Sequence, residues 1–428
     1  MDNCLILLTK TYPFGTGEEF IGNEMPILAQ KFSRVILIAT SVTDTKRTRT
    51  TPDNVAVHCM LRSAVKRSLP LHALRVAPFF GYGGFADEIE KKEVHGSIKR
   101  KLFLTGFLAQ GISIYKRASK ILEQYNLSQF SSMTFYSYWL YDIALAAILL
   151  KNQFGGIAVS RAHGYDLYSD RSSLNYLPLR NYLLQNLDCI RPCSQQGVNY
   201  LTRLYPLYKD KVICSYLGTK DHGISSNSQD NTIRFVSCSF VDPVKRLDLL
   251  ERAFALLRGY PKKIQWTHFG NGDGLEELKT FAQNNLGFMD CHFAGFIKNE
   301  DLLNYYHSHP ADWFVNVSSS EGLPVSIMEA ASFGIPSLAT DVGGTRELVF
   351  DNKNGFLLPA DLTAEYLAQK LKTAIELPSE EALHMHVEAR KTWEMYFQSK
   401  KNYEKFSDDI KGLCSPKSVR AEIHSEKV

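Results

Sequence analysis

No apolar run among the 428 residues reaches the roughly 18 to 20 that a membrane-spanning helix requires. The longest candidate, from Phe135 to Leu150, is broken by Asp142 and several tyrosines, so integral insertion is not expected. The start, Met1-Asp2-Asn3, carries no basic region and passes directly into the strand-like stretch Cys4 to Leu8; no secretion signal is read there, and the chain is expected in the cytoplasm. The eight cysteines are scattered, and the close pair Cys189 and Cys193 has no second ligand pair near it. That spacing excludes a disulfide framework and gives a structural zinc site no support, leaving reduced, mostly buried thiols. With 44% hydrophobic and 22% charged residues, 27 Gly and 16 Pro, the composition is neither disordered nor collagen-like and suits two or three globular domains.

The net charge of +4 is small but unevenly spread. Between Leu61 and Tyr125 there are 12 Lys and Arg against 5 Asp and Glu, leaving 37 against 40 elsewhere. Within that segment Lys66-Arg67, Arg75, Lys99-Arg100-Lys101 and Lys116-Arg117 alternate with Leu, Phe and Tyr. This pattern suits peripheral association with an anionic bilayer, or else a solvated helical insertion. Nucleic acid is not expected as a partner, because no recognised binding fold accompanies the charge.

The first half alternates short β-rich runs with helical stretches: Cys4 to Leu8, a helix from Glu18 to Lys31, then Val35 to Ala39. Met133 to Tyr136, Gly156 to Ser160, Cys189 to Pro192 and Val212 to Ser215 are further strand candidates. Such β-α-β alternation predicts an α/β fold with a parallel, doubly wound sheet. Residues Gly218 to Asn231 are polar and turn-rich and read as a linker. A second alternation follows, with strands Ile233 to Cys238, Ile264 to Phe269, Trp313 to Val317 and Ser337 to Thr340 and helices between them. The organisation expected is a Rossmann-like domain over 1–217 with a basic insertion near 61–125, a second over 232–385, C-terminal helices over 386–413 packing back on the first domain, and a frayed tail over 414–428. Two such domains imply a cleft, with ligands at the carboxyl ends of the strands.

The chemistry concentrates in Ser318-Ser-Ser-Glu321-Gly322-Leu323-Pro324-Val325-Ser326-Ile327-Met328-Glu329. A strand ends in three serines, a glycine turn follows, and Pro324 stands at a first helical position. The amides of Leu323, Pro324's neighbour Val325 and Ser326 should then point outward from a helix N-terminus, which suits a phosphate. Glu321 and Glu329 are carboxylates able to accept bonds from hydroxyls; the plainer alternative is a helix cap and a solvated helix charge. Lys245 and Arg246 lie in Ser239-Phe-Val-Asp-Pro-Val-Lys-Arg, and Gly270-Asn271-Gly272 and Phe293-Ala-Gly-Phe296-Ile end two further strands. In the first half, Thr11 to Phe20 follows the first strand as a flexible lip, where Gly15 and Gly17 would offer amides to phosphate or sugar. Arg161-Ala-His163-Gly-Tyr-Asp166 ends another strand, placing His163 and Asp166 where ligands of such sheets bind.

Taken together these segments resemble the GT-B retaining glycosyltransferases of family four, marked by an E-x7-E motif that Glu321 and Glu329 match in spacing. The resemblance spans most of the chain and is strongest from Ile233 to Leu358. It implies two Rossmann-like domains facing a cleft, with Glu321 on the donor sugar, Glu329 on the nucleotide ribose, and Gly322 to Ser326 on sugar and diphosphate. It also implies that Lys245 holds the diphosphate, that Gly272 and the main chain at Phe296 lie near the nucleotide, that His163 bonds donor sugar or acceptor, and that Asp166 orients the acceptor. Phe240 stands where the family usually has Arg, so Arg246 is expected to supply the missing cation. No two aspartates lie two apart; the metal-binding D-x-D motif of other glycosyltransferases is absent, and no metal or cofactor is expected. The function implied is transfer of a sugar from a nucleotide-sugar, a UDP-sugar first among them, to a glycan or lipid-linked acceptor. Bacterial surface polysaccharide, as in lipopolysaccharide or capsule, at the inner face of the membrane is the setting the resemblance implies. A non-catalytic nucleotide-sugar-binding protein and a GT-B nucleotide-sugar epimerase are the alternatives.

Overall fold

A computed structural model describes residues 2–15, 17–62, 83–225 and 230–413. The chain divides into two compact units, the first running to Leu217 and taking back the chain from Lys400, the second spanning Gly218–Ser399. Each is built on a six-stranded, wholly parallel sheet.

In the first unit the strands are β1 (Asn3–Thr9), β2 (Arg34–Val42), β3 (Val55–Leu61), β4 (Ser132–Ser137), β5 (Ile157–Ala162) and β6 (Cys189–Pro192), in the order β3-β2-β1-β4-β5-β6. Helices on both faces bury the central strands completely, which is why β1, Asn-Cys-Leu-Ile-Leu-Leu-Thr, reads as a continuous apolar run. Among these helices are α1 (Ile21–Lys31), α2 (Ile98–Leu122) and α3 (Asp142–Phe154). The order reverses between β1 and β4, so the loops leaving those two strands flank the switch point where ligands of open α/β sheets bind.

In the second unit β7 (Thr232–Cys238), β8 (Lys263–Phe269), β9 (Asp290–Gly295), β10 (Trp313–Asn316), β11 (Ser337–Thr340) and β12 (Gly355–Leu358) repeat that order as β12-β11-β10-β7-β8-β9. The switch point lies between β7 and β10. The helices that matter below are α4 (Leu247–Ala255), α5 (Val325–Ser332) and α6 (Ser379–Tyr396), followed by α7 (Ser399–Gly412), whose body belongs to the first unit.

Several expectations are corrected. The helix expected from Glu18 starts at Ile21, because Glu18 is held in a loop at φ +74° by bonds described below. Val212 to Ser215 is not a strand but lies against β6 through the bridge of Val212 to Ile190 and the amides of Ile213 and Ser215, which donate to the carbonyls of Ile190 and Pro192. The stretch 218–225 is not a loose linker but the start of the second unit: Thr219 pairs with Gln398 and its hydroxyl accepts from the indole of buried Trp393 at 2.7 Å. Residues 386–413 do not pack as one block on the first unit. The chain to Ser399 stays with the second, anchored by Trp393, while Phe406 and Ile410 of α7 enter the core of the first. The tail 414–428 and the cations Lys66, Arg67 and Arg75 lie outside the described residues.

The basic insertion is also different in kind. The Leu and Phe residues interleaved with its cations are largely core: Leu104, Phe107 and Leu108 of α2 are buried, and Gly111 lets that helix close on Leu145 of α3. Arg100 donates to the carbonyl of Leu174 at 2.9 and 3.2 Å. Ile98 and Leu102 remain exposed on this helix beside Lys99.

Candidate functional site

The loops leaving β7 and β10 meet at the switch point of the second unit. After β7, Asp242 accepts from the amide of Lys245 at 3.2 Å and caps a single turn, Pro243–Lys245, before α4. After β10, the chain runs through three serines to Glu321. Lys245 Nζ pairs with Glu321 Oε1 at 2.8 Å, and Asn316 Nδ2 donates to the same oxygen at 3.3 Å. The amide of Ser319 donates to the carbonyl of Val244 at 2.8 Å and locks one loop to the other. Both side chains of the pair are largely buried, so the interaction is less screened than a surface ion pair.

Pro324 is the N-cap of α5 rather than its first helical residue, with no side-chain cap. The amides of Val325 and Ser326 consequently have no hydrogen-bond partner among the described residues. A helix start with free N–H groups and no capping carboxylate suits an anion. Gly322 and Leu323 form the approach to it, and the turn is held from behind, where Gly344 donates its amide to the carbonyl of Gly322. Gly343, at φ +57°, lies so close that a Cβ there would overlap the carbonyl of Glu321.

Glu329 lies further along α5. Its Oε1 accepts from Asn299 Nδ2 at 2.7 Å. Burial pushes its carboxyl up to about 7 from 4.5, with the Asn299 bond opposing. Between those two values the folded chain keeps a proton that the unfolded chain has lost, so this group lowers stability as pH rises through the window. Urea unfolding from pH 4.5 to 7 should therefore show a fall in stability for the wild type that is smaller in Glu329→Gln; identical slopes in the two proteins would count against a raised Glu329.

Two expected roles are not supported. The guanidinium of Arg246, with its backbone in the left-handed region at φ +50°, donates to the carbonyls of Val317 at 2.6 Å, Ala360 at 2.8 Å and Ser318 at 3.1 Å. Its three bonds go to carbonyls of the loops after β10 and β12, which gives it a structural role and no contact with the start of α5, while Phe240 is 68% exposed. Gly272 is a packing residue: a Cβ there would overlap the backbone of Val241, and its amide is taken by the side chain of Asn271. Phe296, 72% exposed, follows β9 and Gly295 at φ +66°.

In the first unit the loop after β1 offers fewer amides than its glycines suggest. Glu18 fills the nest: its Oε2 accepts from the amides of Thr11 and Tyr12 at 2.7 and 2.8 Å, and its Oε1 from the amide of Lys10 at 2.9 Å and from Trp139 Nε1 at 2.6 Å. Gly15 and Gly17 take the positive φ the turn demands, +64° and +81°, and the amide of Gly17 is bound by the carboxylate of Glu19. These glycines shape the loop, and of the two amides expected as donors that of Gly17 is held by the chain's own carboxylate.

Asp166 is likewise corrected. It is fully buried and accepts from the amides of Leu140, His163 and Gly164 at 2.9, 2.9 and 3.0 Å. Burial alone would raise its carboxyl, but the neighbouring His163 and these amides overcome it and hold the group below its usual range. Asp166 positions the loop and is not exposed to an acceptor. His163 rests against the rings of Tyr138 and Trp139, at 4.7 and 4.6 Å, and its Nδ1 is 3.7 Å from Asp166 Oδ2. Both ring nitrogens are buried without a hydrogen-bond partner among the described residues.

Sequence reasoning missed Asn299, Asn316, Glu18 and Trp139. Asn299 and Trp139 act through contacts 30 and 121 residues away in the chain, Asn316 acts on Glu321 five residues on without a recognisable motif, and the left-handed Glu18, after two glycines, lies in a stretch already marked as a loop. No group of three or more His, Cys, Asp or Glu is arranged to hold a metal among the described residues.

Residues 220–392 match the family described as Glycosyl transferases group 1. Over 114 residues the chain is 39% identical to the O-antigen biosynthesis glycosyltransferase WbnH of Escherichia coli, covering 26% of this chain and 30% of that one. Over 242 residues it is 24% identical to the putative colanic acid biosynthesis glycosyltransferase WcaL of Escherichia coli K12, covering 55% of this chain and 59% of the relative. The matched stretches thus span less than two thirds of these relatives' own length. Across 96% of the chain and all of the neighbour, the fold matches Anabaena Alr3699/HepE in complex with UDP, with a TM-score of 0.66 at 14% identity. The chain therefore has the two-domain GT-B fold, and its residues 220–392 are similar to the Glycosyl transferases group 1 family.

Proposed function

We propose that the chain is a retaining hexosyltransferase of family four, moving a sugar from a nucleotide-sugar, a UDP-sugar first among the candidates, to a glycan or lipid-linked acceptor in surface-polysaccharide assembly. The observation that carries this reading is the Lys245–Glu321 pair beside the uncapped start of α5 at the switch point. A diphosphate seated there meets an ammonium and free amides, and Glu321 accepts from sugar hydroxyls. Glu329 with Asn299 faces the ribose. The relatives' names, in O-antigen and colanic acid biosynthesis, support the polysaccharide setting, and the UDP bound by the Anabaena neighbour supports the donor.

In the transfer, the bond from the anomeric carbon to the phosphate oxygen breaks and its electrons pass to the diphosphate. Lys245 and the amides of Val325 and Ser326 stabilise that developing charge. The acceptor hydroxyl attacks from the same face and yields its proton to the departing phosphate oxygen, so no separate base is needed. His163 hydrogen-bonds a hydroxyl of donor or acceptor. The absence of a D-x-D motif supports catalysis without a divalent ion. Ile98 and Leu102, exposed beside Lys99, support peripheral attachment to an anionic membrane surface; no helix among the described residues is long and apolar enough to cross a membrane.

The test is a thermal-shift series with UDP-, GDP- and dTDP-sugars, since a ligand at 100 times its dissociation constant stabilises by about 2.7 kcal/mol. A shift with one donor, lost in Glu329→Ala, followed by sugar transfer that persists in EDTA, is the expected result. No shift with any donor would sink the donor assignment, and transfer lost on chelation and restored by manganese would sink the metal-free mechanism.

A further inference from the structure

The loops on either side of the first unit's switch point carry a cluster that the donor chemistry does not use. Lys10 follows β1; Trp139 and Tyr141 follow β4; Tyr165 follows β5. The Tyr165 ring, 38% exposed, lies 4.8 Å from Trp139 and 5.9 Å from Tyr141. The ammonium of Lys10 is held over Tyr165 and Tyr141, at 5.0 and 5.1 Å from the ring centres. It makes no hydrogen bond or ion pair among the described residues, although Asp142 senses its charge. A cation held above an aromatic surface without a hydrogen-bonded partner, at the point of the sheet where ligands bind, is free to take an anion.

The cluster is built rather than incidental. Glu18 Oε1 accepts from the amide of Lys10 and from the indole N–H of Trp139. One buried carboxylate oxygen therefore fixes both sides of the platform across the switch point, and Glu18 adopts a left-handed backbone to do so. On its other side Trp139 rests against His163.

We propose that this platform is a saccharide subsite for the acceptor, selective for a sugar that bears an anionic group. A pyranose presents C–H groups on its less polar face, which pack on the electron-rich face of an aromatic ring; Tyr165 offers that face. Lys10 takes the carboxylate or phosphate of the sugar in a charge-assisted hydrogen bond. The chemistry is shared by a uronic acid within a glycan and by a sugar linked through phosphate. The assignment to the acceptor rests on the transferase reading above; the anionic-sugar site itself rests only on the first unit.

Trp139 supplies the readout, because it is half-buried whereas Trp266, Trp313 and Trp393 are buried. Tryptophan fluorescence of the full chain is titrated with glucuronic acid, glucose 1-phosphate and neutral methyl glucoside. The expected result is that at least one anionic sugar half-saturates at roughly a tenfold lower concentration than methyl glucoside, the size of a hydrogen bond to a charged group. A response to glucuronic acid alone indicates a uronate-bearing glycan, and one to glucose 1-phosphate alone a phosphate-linked sugar. Lys10→Met should erase the preference for charge, and Tyr165→Leu should weaken all binding. Equal responses to the three sugars, no response to any, or a charge preference that survives Lys10→Met would overturn the proposal. The thermal shift of the same variants with the nucleotide-sugar separates the two readings. A donor shift that persists while the fluorescence arm fails removes only the subsite; saccharide binding without any donor shift removes only the transferase reading.

Discussion

Lys245→Ala is expected to lower kcat for sugar transfer by about 10²–10³-fold, the usual cost of removing one group that stabilises charge developing in a transition state. Lys245 is the cation that the structure pairs with Glu321, in the loop that leads into α5. The leaving diphosphate gains charge as the bond breaks, so the interaction strengthens on the way to the transition state and its loss falls on kcat more than on donor affinity. Arg246→Ala is expected to behave in the opposite way. Its three bonds to Val317, Ser318 and Ala360 are structural, so donor affinity should persist while the melting temperature falls. Steady-state kinetics at saturating donor, with UDP affinity measured separately, decides the matter. A Lys245→Ala enzyme within a few-fold of wild type, or an Arg246→Ala protein that keeps its stability and loses donor binding, would reverse the assignment.

Arg161→Ala is expected to destabilise the first unit by about 3–5 kcal/mol, because it leaves a buried carboxyl group without its partner. Arg161 and Glu24 are both fully buried and 3.4 Å apart, with Tyr136 bonded to each, at 2.8 Å from Arg161 Nε and 2.9 Å to Glu24 Oε1. The guanidinium also donates to the carbonyl of Ser215 at 2.9 Å and lies 4.1 Å from the centre of the Phe406 ring in α7. One side chain thus ties β5, β4, α1 and the returning helix together, two residues before His163. Burial already raises the Glu24 carboxyl against the pull of Arg161; without Arg161 it shifts further and takes up a proton, which sets the lower end of the range. Urea unfolding followed at equilibrium measures the loss, and Arg161→Met with Glu24→Gln should recover part of it by removing both charges. A loss below about 1 kcal/mol would mean that the pair contributes no more than a surface ion pair.

Much of the fold was legible because a sheet covered on both faces demands uninterrupted apolar strands, and Cys4 to Leu8 and Val35 to Ala39 are such runs. The strands that escaped notice are at the edges. β3 is only partly buried along Val55–Leu61, and β12 is four residues long, Gly355–Leu358. β12 is too short to show the pattern that separates a strand from a loop, whereas β3, Val-Ala-Val-His-Cys-Met-Leu, carries an apolar run that went unread. Val212 to Ser215 shows the converse: Val212 is buried but Ile213 is exposed, and the segment follows β6 through one bridge and two backbone bonds without forming a strand.

By itself the sequence determined the two α/β alternations, the spacing of Glu321 and Glu329, and the glycine turn that opens α5, since these depend on local periodicity and on residues a few positions apart. Only the tertiary structure decided what the charged side chains do. Arg246 and Asp166 sit in motifs that suggest ligand contacts, yet each is bonded to three backbone groups that folding brings to it. Glu18 looked like the start of a helix and is instead the carboxylate that fills its own loop and holds Trp139, 121 residues away in the chain. The physical reason is that a buried polar group must be satisfied by whatever donors or acceptors the fold brings within about 3 Å, and no reading of neighbours along the chain supplies that list.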